Sequence, residues 1–188
     1  SHFLLTFDNH NLVNGIREFS RAHGTATAYS PLGPDLRVEV AALEAALSNR
    51  DPSAGNLFAF PAQSNFSGVQ HPLEWIDRAR GAGWDVLLDA AAFVPTNRLD
   101  LSVWHPDFVT LSFYKMFGYP TGVGALIARR TALARLHRPW FAGGTISVAS
   151  VQADRHLLAP GGAAFEDGTV DYLGIPAIEF GFDVLDQV

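Results

Sequence analysis

The sequence is marked first by the residue types that it lacks. Cysteine is absent from all 188 residues, and lysine occurs once, as Lys115, while arginine supplies the other 12 positive charges. Without cysteine, these residues can form no disulfide, no thiolate metal site and no cysteine nucleophile. No apolar run approaches the roughly 18 to 20 residues that a membrane-spanning helix needs. We therefore expect a soluble protein with no membrane partner, and the lack of cysteine suits a cytoplasmic location.

Charge and motif patterns exclude several further classes. The net charge is −6 and basic residues do not cluster, which argues against a nucleic-acid partner. The seven histidines show no metal-ligand spacing, so we expect no metal, and neither a G-x-S-x-G nucleophile motif nor a Walker phosphate loop occurs. A hydrophobic fraction of 48% is enough for the core of one ordinary globular domain. We therefore expect a small molecule as the partner.

Short apolar runs alternate with segments of helical period along most of the chain. The predicted strands are Phe3 to Phe7, Thr25 to Tyr29, Asn56 to Phe60, Trp84 to Asp89, Phe108 to Ser112 and Gly124 to Ala128. The predicted helices cover residues 11–24, 38–50, 71–83 and 130–137, the first with Leu12, Ile16 and Phe19 on one face. This alternation predicts an α/β fold in which a mostly parallel sheet carries helices on both faces. From Arg138 to about Gly168 the alternation gives way to loops and short β segments.

Polar side chains follow four of the predicted strands at the point where each strand ends. Asp8 to Asn11 follow the first strand, "PAQSNFSG" follows the third, Asp89 ends the fourth, and Ser112, Tyr114 and Lys115 end the fifth. Because ligands of open α/β sheets bind outside the carboxyl ends of the strands, we expect these groups to converge at one edge.

The chemistry of these groups suggests one cofactor. A lysine beside a partly buried strand end is available as a neutral amine, which can form a Schiff base. Asp89 could keep a pyridine nitrogen protonated, His10 could stack on the ring, and Ser112 with the "PTGVG" turn could hold a phosphate. The combination predicts pyridoxal phosphate chemistry.

Each of these residues also has a plain structural explanation. Lys115 could be a solvated lysine in an arginine-rich chain, Asp89 a helix cap, His10 a cap or core residue, and Asn65 a turn residue. The pattern G-x-G-x-x-G is not completed in "GYPTGVG", whose glycines could serve only the turn. The convergence of the groups on one sheet edge favours the cofactor interpretation.

The sequence also resembles a known family over essentially all its length. The core of the resemblance is residues 87–130, which contain "SFYKMFGYPTGVGAL", and similar motifs occupy residues 8–19, 60–73, 140–150 and 165–181. These stretches resemble the class V aminotransferase superfamily, which includes the cysteine desulfurases. They are most similar there to the amino-terminal domain of molybdenum cofactor sulfurases and to related bacterial proteins.

The resemblance implies a role for each candidate residue. Lys115 would bind pyridoxal phosphate covalently and move protons at the substrate α-carbon, Asp89 would pair with the ring nitrogen and His10 would stack on the ring. Asn65 would lie near the phenolic oxygen of the ring or the substrate carboxylate. Ser112 would contact the phosphate, and Thr145, after Gly143 and Gly144, would reach the phosphate of a neighbouring subunit, which implies a homodimer.

The sequence departs from the family pattern at two positions. Tyr114 stands where many relatives have histidine, and the sulfurase-like branch also has tyrosine there. We count Tyr114 among the residues expected to bind the cofactor. Ala92 stands where many relatives have glutamine. Relatives also have an upstream glycine-rich turn, a downstream small domain with a substrate-binding arginine and, in desulfurases, a downstream persulfide cysteine. The resemblance therefore implies that residues 1–188 form a single cofactor-binding large domain of fold type I, as a fragment of a longer polypeptide.

Three functions stay open on the sequence alone. The favoured one is a pyridoxal phosphate enzyme that cleaves a C–S bond of an amino acid, as desulfurases and sulfurases do. The second is a class V aminotransferase or lyase with a different substrate, and the third is a noncatalytic fragment or binding domain of the same fold.

Overall fold

The computed structural model describes residues 2–187, and its main feature is a six-stranded sheet. The strands are β1 (His2–Thr6), β2 (Ala26–Ser30), β3 (Asn56–Pro61), β4 (Asp85–Asp89), β5 (Phe108–Ser112) and β6 (Gly124–Ala128). Their order across the sheet is β2-β1-β3-β4-β5-β6. The six predicted strands are therefore confirmed, each to within one residue at either end.

Parallel pairing brings the carboxyl ends of the central strands together. β1 pairs in parallel with β2 and β3, β3 pairs with β4, and β4 pairs with β5. The register places Asp89 beside Pro61 on one side and Thr110 on the other. The predicted mostly parallel sheet is confirmed, and the polar residues that follow β1, β3, β4 and β5 share one edge of it.

Helices cover both faces of this sheet. The helices up to β6 are α1 (Asn11–Asn14), α2 (Ile16–Ala22), α3 (Val40–Ser48), α4 (Trp75–Gly81) and α5 (Tyr114–Phe117). Alternate strand residues point to opposite faces, so Phe58 packs in the core with α3 and α4 while Ala59 packs in the core with Val13 of α1. Burial on both faces explains why the strands are continuous apolar runs rather than alternating ones.

The segment 11–24 was predicted to be one amphipathic helix, but the structure has the two short helices α1 and α2 there. Gly15 ends α1 and caps α2. Leu12 is 72% exposed and Phe19 is also exposed, whereas Val13 is 1% exposed and packs on the sheet. The predicted apolar face was wrong for Leu12 and Phe19, because the face that packs on the sheet carries Val13 and Ile16.

The chain divides into two compact units, one extending to Ile127 and the other beginning at Ala128. The second unit contains α6 (Arg130–Leu133), the antiparallel pair β7 (Ile146–Ala149) and β8 (His156–Leu158), a short 3-10 helix (Gly161–Phe165) and α7 (Ala177–Leu185). The predicted change to loops and short β segments from Arg138 is confirmed. The interpretation of residues 1–188 as one domain stays a prediction. Within residues 2–187, no helix has the length and hydrophobicity to cross a membrane.

Candidate active site

Four of the predicted site residues lie at the carboxyl edge of the sheet because of the strands that carry them. His10 follows β1, Asn65 follows β3, Asp89 ends β4 and Ser112 ends β5. These strands are consecutive neighbours in the sheet. The parallel fold thus brings together side chains that are separated by as many as 102 positions in the sequence, from 10 to 112.

Lys115 reaches this edge from the one-turn helix α5, which begins two residues after β5 ends. Phe113 is buried beneath the turn, and Gly118 closes the helix with a left-handed φ of 80°. The Lys115 Nζ donates a hydrogen bond of 2.9 Å to Oδ1 of Asn65. This contact links the ends of β3 and β5 and directs the only amine side chain of the sequence to the sheet edge.

Asp89 is held by hydrogen bonds to one of its two carboxylate oxygens. Oδ1 accepts from the backbone N–H of Ala91 at 3.1 Å and from the Thr110 hydroxyl at 3.1 Å. The first bond is of the capping type that the sequence suggested, although a turn rather than a regular helix follows. Because Oδ1 accepts both of these bonds, Asp89 can cap the turn and still use its other carboxylate oxygen, Oδ2, toward a cofactor.

His10 caps α1 through one ring nitrogen. Its Nδ1 accepts a hydrogen bond of 3.2 Å from the backbone N–H of Leu12, which places the proton of a neutral ring on Nε2. The residue remains exposed. The alternative role of His10 as a capping residue is confirmed, and an exposed ring held by such a cap can also stack on a planar ligand.

A cavity of about 460 Å³ lies beside these groups. Five predicted residues line it, namely His10, Asp89, Ser112, Tyr114 and Lys115. A neighbouring cavity of about 660 Å³ is lined by His10, Asn65 and Asp8 among others. His10 lines both cavities, and the Lys115 to Asn65 hydrogen bond connects a residue of one with a residue of the other.

Two glycines make close backbone approach possible at the first cavity. Gly122 has a φ of 80°, which other residues rarely adopt. A Cβ on Gly124 would lie 2.6 Å from the Leu111 carbonyl oxygen, so only glycine fits there. The cavity thus combines a primary amine, a fixed carboxylate, an imidazole, a hydroxyl and a turn whose glycines leave the backbone accessible. These groups suit pyridoxal phosphate, the cofactor that the sequence predicts.

Two predicted residues stand apart from this group in different ways. Tyr114 lines the cavity but is largely exposed, and it precedes Lys115 on the same helix turn. Thr145 belongs to the second unit and is fully buried there. Its hydroxyl donates to the Ala142 carbonyl at 2.7 Å and accepts from the Ala142 N–H at 2.9 Å. The role of Thr145 toward a neighbouring subunit stays a prediction.

Sequence reasoning missed two residues of this region. Thr110 holds Asp89, and the period of two along β5 could have found it, since Thr110 and Ser112 lie on the same face. The other is His71, which forms a buried pair with Asp8, with 2.7 Å between Oδ2 and Nε2. Burial alone would raise the pKa of Asp8, but the hydrogen bond and charge of His71, with smaller contributions from Thr6 and Ser64, together lower that pKa. No local pattern marks His71, because its partner is 63 positions away.

The class V aminotransferase family model matches residues 2–188, and the chain belongs to that family. Among curated proteins, it is 39% identical over 198 residues to the molybdenum cofactor sulfurase of Homo sapiens and 40% identical over 200 residues to that of Bos taurus. Each match covers 100% of this chain but only 22% of the relative, so the chain spans under a quarter of their length.

Solved structures show the same fold at lower sequence identity. A cysteine desulfurase from Thermococcus onnurineus NA1 superimposes with a TM-score of 0.81 at 22% identity, covering 100% of this chain and 46% of its own. The cysteine desulfurase CsdA from Escherichia coli gives 0.83 at 20% identity, with the same coverage. A C-DES variant with glycine linked to its PLP cofactor gives 0.80 at 20% identity, covering 100% of this chain and 49% of its own. The predicted fold class, the large-domain architecture of pyridoxal phosphate enzymes of fold type I, is confirmed.

Proposed function

We propose that this chain is the cofactor-binding part of a pyridoxal phosphate enzyme that cleaves the C–S bond of an amino acid. The observation that carries the proposal is the hydrogen bond of 2.9 Å between Lys115 and Asn65, at the sheet edge where Asp89 and His10 also lie. Support comes from membership of the class V family and from the sulfurase relatives.

Each side chain has a defined task in the proposed reaction. Lys115 would hold the cofactor covalently and would carry a proton to and from the substrate α-carbon. Asp89, fixed by Thr110, holds a proton on the ring nitrogen, and His10 packs on the ring face. When bound, pyridoxal phosphate supplies an electron sink that stabilises negative charge at the α-carbon.

The remaining candidates position other parts of the cofactor. Asn65 donates its amide hydrogen to the phenolic oxygen or to the substrate carboxylate, while its Oδ1 orients Lys115. Ser112 and Tyr114 contribute hydroxyl groups at the cavity wall toward the phosphate. Thr145 would complete the phosphate site of a second copy, and the protein would then be a homodimer. The cytoplasmic location stays a prediction from the sequence.

The family also suggests a second candidate function. The matching family model is described as an aminotransferase, and transamination or β-elimination needs the lysine and the cofactor but no thiol. In desulfuration, by contrast, a thiol accepts the sulfur, and because this chain has no cysteine that thiol must come from elsewhere.

The products of the full-length protein with L-cysteine distinguish these functions. Desulfuration in the presence of a thiol gives alanine and a persulfide, whereas β-elimination gives pyruvate, ammonia and sulfide, and transamination gives a keto acid that retains sulfur. We expect alanine and thiol-bound sulfur in equal amounts, measured by amino-acid analysis and by reductive release of sulfide. Pyruvate as the main product would reject desulfuration in favour of β-elimination.

A matched variant ties the products to this chain. Lys115→Arg keeps the positive charge but cannot bind the cofactor covalently, because a guanidinium stays protonated. Loss of product in this variant is expected. Unchanged product formation would reject the proposed site.

A further inference from the structure

Asp8 and His71 form a buried, hydrogen-bonded pair beside the proposed cofactor site. Their side chains are 0% and 2% exposed, and Oδ2 lies 2.7 Å from Nε2. Asp8 follows β1 and is two residues before His10, while His71 ends the loop that carries Asn65. The pair therefore joins the two segments that hold His10 and Asn65.

The loop 62–71 is closed on itself, so that His71 fixes its base. The His71 N–H donates to the Ala62 carbonyl at 2.9 Å, and the Ser64 N–H donates to the Val69 carbonyl at 2.9 Å. Asn65 lies within the turn that these bonds enclose, two residues after Gln63, which bridges Gln70 near the loop end. The His71 ring also stacks on Trp75 of α4, with the ring centres 5.2 Å apart. A displacement of His71 would consequently move Asn65 relative to Lys115.

The segment around Asp8 is equally well anchored. The Asn9 amide donates to the carbonyls of Thr6 and Ala59 at 3.0 Å, and the Asn14 amide donates to the Asn9 carbonyl at 3.1 Å. These bonds tie the turn after β1 to β3 and to α1. Because this turn is held in place, the hydrogen bond from His71 to Asp8 can fix the position of the loop 62–71.

Stability alone is a weak reason for such a pair. A buried ion pair can often be replaced by apolar residues at no loss of stability, because desolvation offsets much of the attraction between the charges. A charge pair does, however, impose one geometry on the two segments that it joins. Here those segments carry two of the groups that face the cavities.

We propose that Asp8 and His71 are positioning residues that hold the Asn65 loop against the His10 segment and thereby set the contact between Asn65 and Lys115. This inference rests on the proposed function, since the contact matters for catalysis only if Lys115 carries the cofactor.

Three variants of the full-length protein test the pair. Asp8→Asn removes the charge at constant shape, His71→Phe keeps the ring that stacks on Trp75 but loses the hydrogen bond, and His71→Gln restores an N–H donor. Titration with pyridoxal phosphate, followed by its visible absorption, should show dissociation constants raised about tenfold for Asp8→Asn and His71→Phe, the effect of losing one charge-assisted hydrogen bond. His71→Gln should recover part of this loss.

A control and a double-variant comparison separate positioning from general stability. Asp107 is also a buried carboxylate, and it accepts a 3.0 Å bond from the Val86 N–H at the amino ends of β4 and β5. Asp107→Asn should lower the unfolding temperature without changing cofactor affinity. In an Asn65→Ala background, Asp8→Asn should cost much less affinity than in the wild type, because both act through Asn65. Equal costs in the two backgrounds would overturn the proposal.

Hydrogen exchange of the cofactor-free protein gives a readout that does not need the proposed function. We expect faster exchange of the Gly68, Val69 and His71 amides in Asp8→Asn, and unchanged exchange there in Asp107→Asn. If these amides keep their protection, the positioning role is rejected even where cofactor binding changes. If exchange changes but the wild type binds no pyridoxal phosphate, the proposed function fails while the structural link between the segments holds. If Asp8→Asn does not fold, His71→Gln and His71→Phe supply the same comparison.

Discussion

The proposed function requires a primary amine at Lys115, the single lysine of the chain, and arginine cannot supply one. The Lys115 amine lies 2.9 Å from Asn65 Oδ1, beside the cavity that Asp89 lines. We expect both Lys115→Ala and Lys115→Arg to lose the borohydride-reducible link to pyridoxal phosphate, and turnover to fall at least about 100-fold with the loss of this proton carrier. Mass spectrometry of reduced, digested protein checks the link. No other lysine exists in the sequence, so an adduct elsewhere in this chain would contradict the assignment.

Asp89 should affect reactivity more than covalent attachment. Asp89→Asn keeps the size of the side chain but removes the charge that holds the ring proton, so we expect a reducible adduct with turnover lowered about 100-fold or more. Thr110→Val removes only the 3.1 Å hydrogen bond to Asp89 Oδ1 and should cost about tenfold. Absorption spectra and steady-state rates measure both effects. Equal losses in the two variants would contradict an electrostatic role for Asp89.

The candidate site was predictable from sequence wherever its residues follow a strand. Asp89 and Ser112 end apolar runs, and Lys115 and His10 lie within four residues of such an end, so parallel pairing alone brings them to one edge. His71 was not predictable in this way, because it reaches Asp8 only through the folding of the loop 62–71. A contact set by loop closure leaves no periodic trace in the sequence.

At the scale of elements, the start of β6 depends on close approach to the end of β5. A Cβ at position 124 would lie 2.6 Å from the Leu111 carbonyl oxygen, which is backbone and cannot swing away. We expect Gly124→Ala to lower the free energy of unfolding by about 1–3 kcal/mol and to weaken cofactor binding, since Ser112 follows Leu111. Denaturant unfolding and pyridoxal phosphate titration measure the two effects.

Gly81 provides the matched control for this substitution. It ends α4, has an ordinary φ and has no heavy atom within 4 Å of the position of a Cβ. Gly81→Ala should therefore raise the free energy of unfolding by about 0.4–1 kcal/mol, through the reduced freedom of the unfolded chain. A loss of stability in Gly81→Ala similar to that in Gly124→Ala would refute the steric explanation.

The link between β1 and the loop after β3 should also give a pH signature. Although burial opposes it, the hydrogen bond and charge of His71, with smaller contributions from Thr6 and Ser64, lower the pKa of Asp8 below its ordinary value of 3.8. The folded state therefore binds a proton at Asp8 less readily than the unfolded state does, and the resulting stability is complete above pH 3.8 and lost as pH falls through the lowered value. Asp8→Asn should flatten the slope of unfolding free energy against pH in this acid range. An unchanged slope would show that Asp8 makes no such contribution.

The strands were more predictable than the helices for a physical reason. A strand that is buried on both faces is apolar along its middle, so its bounds follow an apolar run, as Asn56–Pro61 and Asp85–Asp89 show. The helical segment 11–24 carries apolar residues at several spacings, and contact with the sheet decides which of them are buried. The buried residue is Val13, which the spacing from Leu12 did not indicate.

At the scale of the whole molecule, residues 2–187 contain the proposed cofactor edge within the first unit and Thr145 within the second. The sequence predicts that Thr145 serves the phosphate site of a neighbouring copy, and this role can be tested without a structure of the assembly. Light scattering of the full-length protein should give twice the mass of one chain. A monomer that binds pyridoxal phosphate fully would contradict the shared site.

Complementation between two defective variants tests the shared site directly. Lys115→Ala and Thr145→Ala remove groups that, in a mixed dimer, come from different subunits, so one of its two sites is intact and the other lacks both groups. Coexpressed and purified through two different tags, the mixed dimer should regain tight cofactor binding and turnover at about half of its sites, while each variant alone stays defective. Thr145→Ser keeps the hydroxyl that bonds to Ala142 and should behave as the wild type. If the mixed dimer is no better than its parents, Thr145 acts within its own subunit, and the hydroxyl then has only the structural task of closing the turn at Ala142.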